Sequence, residues 1–95
     1  MKTEFQQKII SRIKKIREEN NCSQYALAKI LSISPGQVGN IESLAQPHKY
    51  TLAQIRDICK EFHIQIEQLF FEDSDYRECV SIINLLIDKI IDYEQ

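Results

Sequence analysis

The sequence predicts an all-α fold, with five helices packed as one domain and a longer amphipathic helix behind them. Three observations carry this. Capping signals stand at Thr3-x-x-Gln6, Ser23, Ser34-Pro35 and Thr51-x-x-Gln54, where side-chain oxygens can accept from the first free N–H groups of a helix. Behind them, apolar residues recur every three or four positions, the helical spacing. With two glycines and two prolines in 95 residues, a turn-rich β-sandwich has too few turn formers.

Phe5, Ile9, Ile13 and Ile16 mark one face of a first helix over residues 4–19, which ends at Asn20-Asn21. Ser23 opens a short second helix over 24–31, with Ala28 and Leu31 inward. Ser34 followed by Pro35 starts a third, because proline at the first helical position loses no needed N–H. That helix turns Val38 and Ile41 to one face and ends near Ser43. Residues 44–50 read as a loop. A fourth helix runs from Thr51 to about Phe62 and is expected to bury Leu52, Ile55, Ile58 and Cys59 or Phe62. A short fifth follows at 66–70, and the polar run Glu72-Asp73-Ser74-Asp75 reads as a break. Residues 1–72 thus form the main domain and 73–95 a C-terminal element.

Composition narrows the functional classes. No run of about 18 apolar residues is present, so no membrane-spanning helix is expected. The polar N-terminus, MKTEFQQ, lacks a signal-peptide core, giving the expectation of a cytoplasmic protein. Cys22, Cys59 and Cys79 are odd in number and widely spaced, unlike a disulfide framework or a zinc site. They read as reduced thiols. No nucleophile with a paired base can be picked out, so no enzyme, metal or cofactor is expected. The net charge of −2 is unevenly distributed: residues 1–60 hold ten Lys or Arg against five Asp or Glu, and residues 61–95 two against nine. A basic first part and an acidic tail suit an anionic partner on one face, or are two solvated faces.

Two short helices joined by a tight turn, with Gln24, Ala28, Val38 and Ile41 at their offsets, form a helix-turn-helix pattern. A bulky side chain at 28 would hold the second helix of the pair off the first. From about Ile9 to Phe70, through RIKKIREENNCSQYALAKILSISPGQVGNIE and TLAQIRDICKEFHIQIEQLF, the chain closely resembles the Xre family of lambda-repressor and Cro-like helix-turn-helix proteins. The resemblance implies a five-helix fold that binds double-stranded operator DNA as a dimer, commonly as a repressor. It also implies Gln24 on a backbone phosphate, with Pro35, Gly36, Gln37 and Asn40 facing the major groove beside Ser34. Arg17 and Glu42 match a family ion pair linking the first helix to the end of the recognition helix. Lys49, in the loop flanking that helix with His48 and Tyr50, is expected at a phosphate. An antitoxin holding a toxin protein, or another interaction module, is the alternative use of this fold.

The chain departs from the family pattern at several points. Ser32 stands where the turn commonly has glycine, which calls for a positive φ at a residue with a side chain. The loop after Glu42 is about two residues longer than usual and has Leu44 in place of a customary glycine. Gly36 and Gly39 each weaken a helix by about 1 kcal/mol relative to alanine. Base readout is therefore expected from Gln37 and Asn40, whose amides suit adenine edges. Beyond the resemblance, a helix over 75–93 places Tyr76, Cys79, Val80, Ile83, Leu86, Ile87 and Ile90 within about 60° of one direction at 100° per residue. Leu85 falls on the otherwise polar side. This stripe can pack on its own core, on a second copy, or both. Its excess width predicts a homodimer interface through Tyr76, Val80, Ile83, Leu86, Ile87 and Ile90.

Overall fold

The computed structural model describes residues 2–78 and 81–95, in which seven helices and no strand are found. In chain order these are α1 (Glu4–Glu19), α2 (Gln24–Leu31), α3 (Pro35–Glu42), α4 (Leu52–Phe62), α5 (Ile66–Phe70), α6 (Asp73–Glu78) and α7 (Ile82–Glu94). None is long and apolar enough to cross a membrane.

The capping chemistry explains most boundaries. Thr3 and Gln6, Ser34 and Gln37, and Thr51 and Gln54 form reciprocal capping boxes that open α1, α3 and α4. Ser23 accepts from the Ala26 N–H to open α2. Three of the helices run into a residue in left-handed conformation, Asn21 after α1 at φ 55°, Ser32 after α2 at φ 58° and His63 after α4 at φ 55°. A residue with a Cβ is strained there, yet Ser32 must turn the chain tightly between α2 and α3, and the Ile33 N–H reaches back to the Ala28 carbonyl at 2.9 Å.

The core gathers Ile9, Ile10 and Ile13 from α1, Leu27 and Ala28 from α2, Val38 and Ile41 from α3, and Ile55 and Ile58 from α4, with Leu69 and Phe70 beneath. Ala28 is buried where α2 meets α3, as a close helix crossing demands. Leu52, expected inside, is instead 36% exposed at the open edge of α4. Lys8 and Arg12 of α1 are more than solubilising charges. Both reach Glu72, Lys8 at 3.0 Å, and Arg12 also donates to the Leu69 carbonyl at 2.5 Å, tying α1 to the end of α5. These two cations hold the Glu72 carboxyl below its ordinary pKa.

The C-terminal element differs from the single helix over 75–93. Asp73–Asp75, expected to be a break, lies in α6, and Ser81 has extended backbone (φ −136°, ψ 114°). The Ser81 hydroxyl accepts from the Asn84 N–H at 3.3 Å, so it caps a new helix rather than continuing an old one. Position 80, and with it Val80 of the expected interface, lies outside the described residues, as does Cys79.

α7 folds back across α1 and α5. Leu86 and Ile90 pack half-buried on the core of their own chain, and so does Leu85, which the periodicity had placed on the polar side. Ile83 and Ile87 point away from that core, and Tyr76 stands half-exposed, edge-on to Phe71 at 5.3 Å. Tyr93 fixes the far end of α7. Fully buried, its ring sits 5.7 Å from that of Phe70, and its hydroxyl donates to the Tyr50 carbonyl at 2.8 Å. Its own carbonyl, one of the four that a helix end leaves unpaired, accepts from Gln6 Nε2 at 2.6 Å and Lys49 Nζ at 2.9 Å.

Tyr93→Phe therefore orphans one buried carbonyl and should lower the unfolding free energy by about 1 kcal/mol. Tyr93→Ala also opens a cavity and should lower it by about 3–5 kcal/mol. Urea unfolding followed by circular dichroism separates the two; equal and small losses would show that α7 is not anchored there.

Candidate nucleic-acid interface

α3 has two unlike sides. Val38 and Ile41 are buried against α2 and α1, whereas Ser34, Pro35, Gly36, Gln37 and Asn40 are exposed. Neither glycine is demanded by packing. A Cβ at Gly36 would lie 3.9 Å from Ser34 Oγ, and one at Gly39 would lie 3.7 Å from Gln24 Oε1, both ordinary contacts. The two glycines leave the outer side of α3 low and bare, with Asn40 projecting from it.

The ends of α3 are held firmly. At its start, the Gln37 N–H donates to Ser34 Oγ at 3.2 Å and Gln37 Oε1 accepts from the Ser34 N–H at 2.8 Å. The Gln37 amide oxygen thereby accepts one bond within the cap, and its NH2 bonds to no described residue. Asn40 has no side-chain hydrogen bond to any described residue, which leaves both donor and acceptor available. At its end, Glu42 is gripped from three directions. Arg17 Nε donates to Glu42 Oε2 at 2.9 Å, Arg17 Nη2 to Oε1 at 3.0 Å, and Gln24 Nε2 to the same Oε1 at 2.9 Å. The Arg17 and Glu42 side chains keep only 8% and 4% of their surface exposed. Arg17 Nη1 also donates to the Cys22 carbonyl at 2.8 Å, linking the α1–α2 turn to the same cluster. Bonding to Glu42 raises the Arg17 pKa and keeps the guanidinium charged.

Lys2 adds a fourth restraint that the sequence did not announce. Its ammonium donates to the Ile41 carbonyl and, at 2.5 Å, to that of Ser43, at the negative end of the α3 dipole. Nothing in the local pattern marks this residue, because its partners lie about forty positions away. Gln24, expected at a phosphate, is exposed at the start of α2 but spends its amide N–H on Glu42. Lys49, expected at a phosphate too, is turned toward α7 instead, with its ammonium on the Tyr93 carbonyl and 5.2 Å from that residue's ring centroid. Tyr50, grouped with it at the loop, is fully buried, and its hydroxyl is a buried polar atom without a partner among the described residues. Burial, with Glu42 nearby, pushes the Tyr50 pKa upward. Beside the outer face of α3 runs a cleft in which Gln37, Asn40, His48, Lys49, Thr51 and Gln54 surround Ile33 and Ile41, with no acidic side chain in its lining.

The Arg17–Glu42 bond should behave as a buried pair. Arg17→Met or Glu42→Leu alone strands one desolvated charge and should lower stability by about 3–5 kcal/mol. The double variant should lose far less than the two losses combined. Strict additivity in a denaturation cycle would show that the two side chains are not coupled.

Residues 12–71, from the middle of α1 through α5, match the sequence profile of the Cro/C1-type HTH DNA-binding domain. No curated protein and no solved structure matches the chain. The profile spans more than half of the chain and contains the Arg17–Gln24–Glu42 cluster, the bare outer face of α3 and the cleft beside it. The chain belongs to the Cro/C1-type helix-turn-helix DNA-binding domain family.

Proposed function

We propose that this protein is a sequence-specific transcriptional regulator, a dimeric repressor that lays residues 35–43 into the major groove of its operator. The observation that carries this reading is the division of α3 into a core-locked side and a bare polar side, on a domain of a DNA-binding family. A helix clamped at both ends presents its side chains without a large ordering cost on binding. Asn40 is the base-reading residue, since its amide is unspent and suits an adenine edge. The low surface at Gly36 and Gly39 admits the DNA close to the helix backbone, where side chains would hold it off. Gln24 and Ser34 stand at helix starts, whose N–H groups favour a phosphate. Lys49 keeps the loop beside α3 basic while anchoring α7.

Dimerisation belongs to the same proposal. Ile83, Ile87 and Ile91 of α7 are 72%, 50% and 52% exposed, a continuous apolar stripe four residues apart that water leaves unsatisfied. Two copies that read paired half-sites must hold their α3 helices about 34 Å apart, one turn of DNA.

A gel shift on fragments from the protein's own promoter region, repeated from low to high salt, tests the reading. Affinity should fall along a straight log–log line, with a slope near −0.9 per phosphate contacted. Asn40→Ala should erode the preference between sites by roughly 1–3 kcal/mol. Gly39→Ala should raise folding stability by up to about 1 kcal/mol while weakening DNA binding. Binding indifferent to salt, or DNA affinity unmoved by both variants, would refute the assigned face.

A further inference from the structure

We infer that the outward stripe of α7 seats in a groove along α4 of a second copy, and that the second copy returns the same contact. The inference rests on the dimer proposed above and names its surface. On each chain the groove has an apolar floor of Ile64, Ile66 and Ile90, rimmed by Arg56, Lys60 and His63. The three rim residues are exposed, and the floor is half-buried. Lys60 makes no ion pair with any described residue, whereas Arg56 shares its charge with Asp57 at 3.2 Å. The groove is therefore apolar within and positive at its edge.

α7 offers the complement. The exposed charges of α7 are Asp88, Asp92 and Glu94, all acidic; at 100° per residue Glu94 falls on the side of Ile83, Ile87 and Ile91, and Asp88 flanks it. Its one cation, Lys89, is withdrawn to its own chain, 3.5 Å from Asp75 and 5.5 Å from the Phe5 ring centroid. The outer face is thus apolar and negative, matching the groove in both respects. The two surfaces also adjoin. Ile90 lines the groove, and Ile83 and Ile87 follow it around α7 within about 60° at 100° per residue. One patch carries both halves of the contact side by side, as a two-fold interface requires of a surface that meets its own copy. Stacking α7 on α7 alone would instead leave the basic groove uncovered and give the acidic groups flanking the stripe no cation to meet.

Two charge-reversed proteins test this, each checked for native helicity by circular dichroism. Arg56→Glu/Lys60→Glu makes groove and helix both acidic, and Asp88→Lys/Glu94→Lys makes both basic. Measured by analytical ultracentrifugation, each alone should self-associate about a hundredfold more weakly than the parent. Mixed together, they should form a heterodimer of near-parental affinity, because each groove then meets a helix of opposite charge. A parent chain that is monomeric at high micromolar concentration would overturn the dimer itself. A dimer that persists in Arg56→Glu/Lys60→Glu would overturn only this surface, leaving the groove to another occupant, and so would reversed variants that fail to pair.

Discussion

One buried carboxylate organises the working end of this molecule. Glu42 closes α3, and Arg17 of α1 and Gln24 of α2 both spend their donors on it. Taking a guanidinium and a carboxylate out of water is costly, and the cost is offset only when nearly every donor and acceptor is satisfied. Here the two-point Arg17 bond, the Gln24 amide and the Cys22 carbonyl do this together. The geometry leaves no slack, so three helices and the turn between α1 and α2 are set relative to one another at a single point. Apolar packing of Val38 and Ile41 could hold α3 against the core in several neighbouring positions. The charged cluster selects one.

That constraint explains how α3 tolerates its own sequence. Eight residues with two glycines and a proline would not hold a helix in isolation. The Ser34–Gln37 box fixes its start, the Glu42 cluster and Lys2 fix its end, and the core fixes one side. The outer side is released from any structural duty and can be as low as glycine makes it. The Gln37 amide is divided between duties, its oxygen bonded within the cap and its nitrogen to no described residue.

Most of this architecture was legible in the residues. The Thr3, Ser23, Ser34 and Thr51 caps and the helical spacing of the isoleucines mark α1 to α4, because those signals act over three or four positions. The C-terminal region was misread where two local rules compete. The apolar spacing runs on through Ser81, yet a serine hydroxyl can cap its own helix, and in the fold it does. The bond from Lys49 to the Tyr93 carbonyl was not legible, because the two residues lie far apart along the chain and no spacing rule couples them. The same holds for Lys2 and the end of α3. Of the residues read from sequence as facing DNA, Ser34, Pro35, Gly36, Gln37 and Asn40 are exposed on α3 or at its start, whereas the cations that brace its surroundings become visible only once α7 and the N-terminus are folded over the core.

The Glu42 cluster, and not packing alone, holds α3 as a rigid presenting surface. Native-state amide hydrogen exchange in the parent chain and in Glu42→Gln tests this most directly. Loss of the charge strands Arg17, so protection of the Val38 and Ile41 amides should fall by at least about tenfold more than that of Ile55 and Ile58 in α4. Unchanged protection throughout α3 would contradict the account, since the helix would then be held by its apolar side alone.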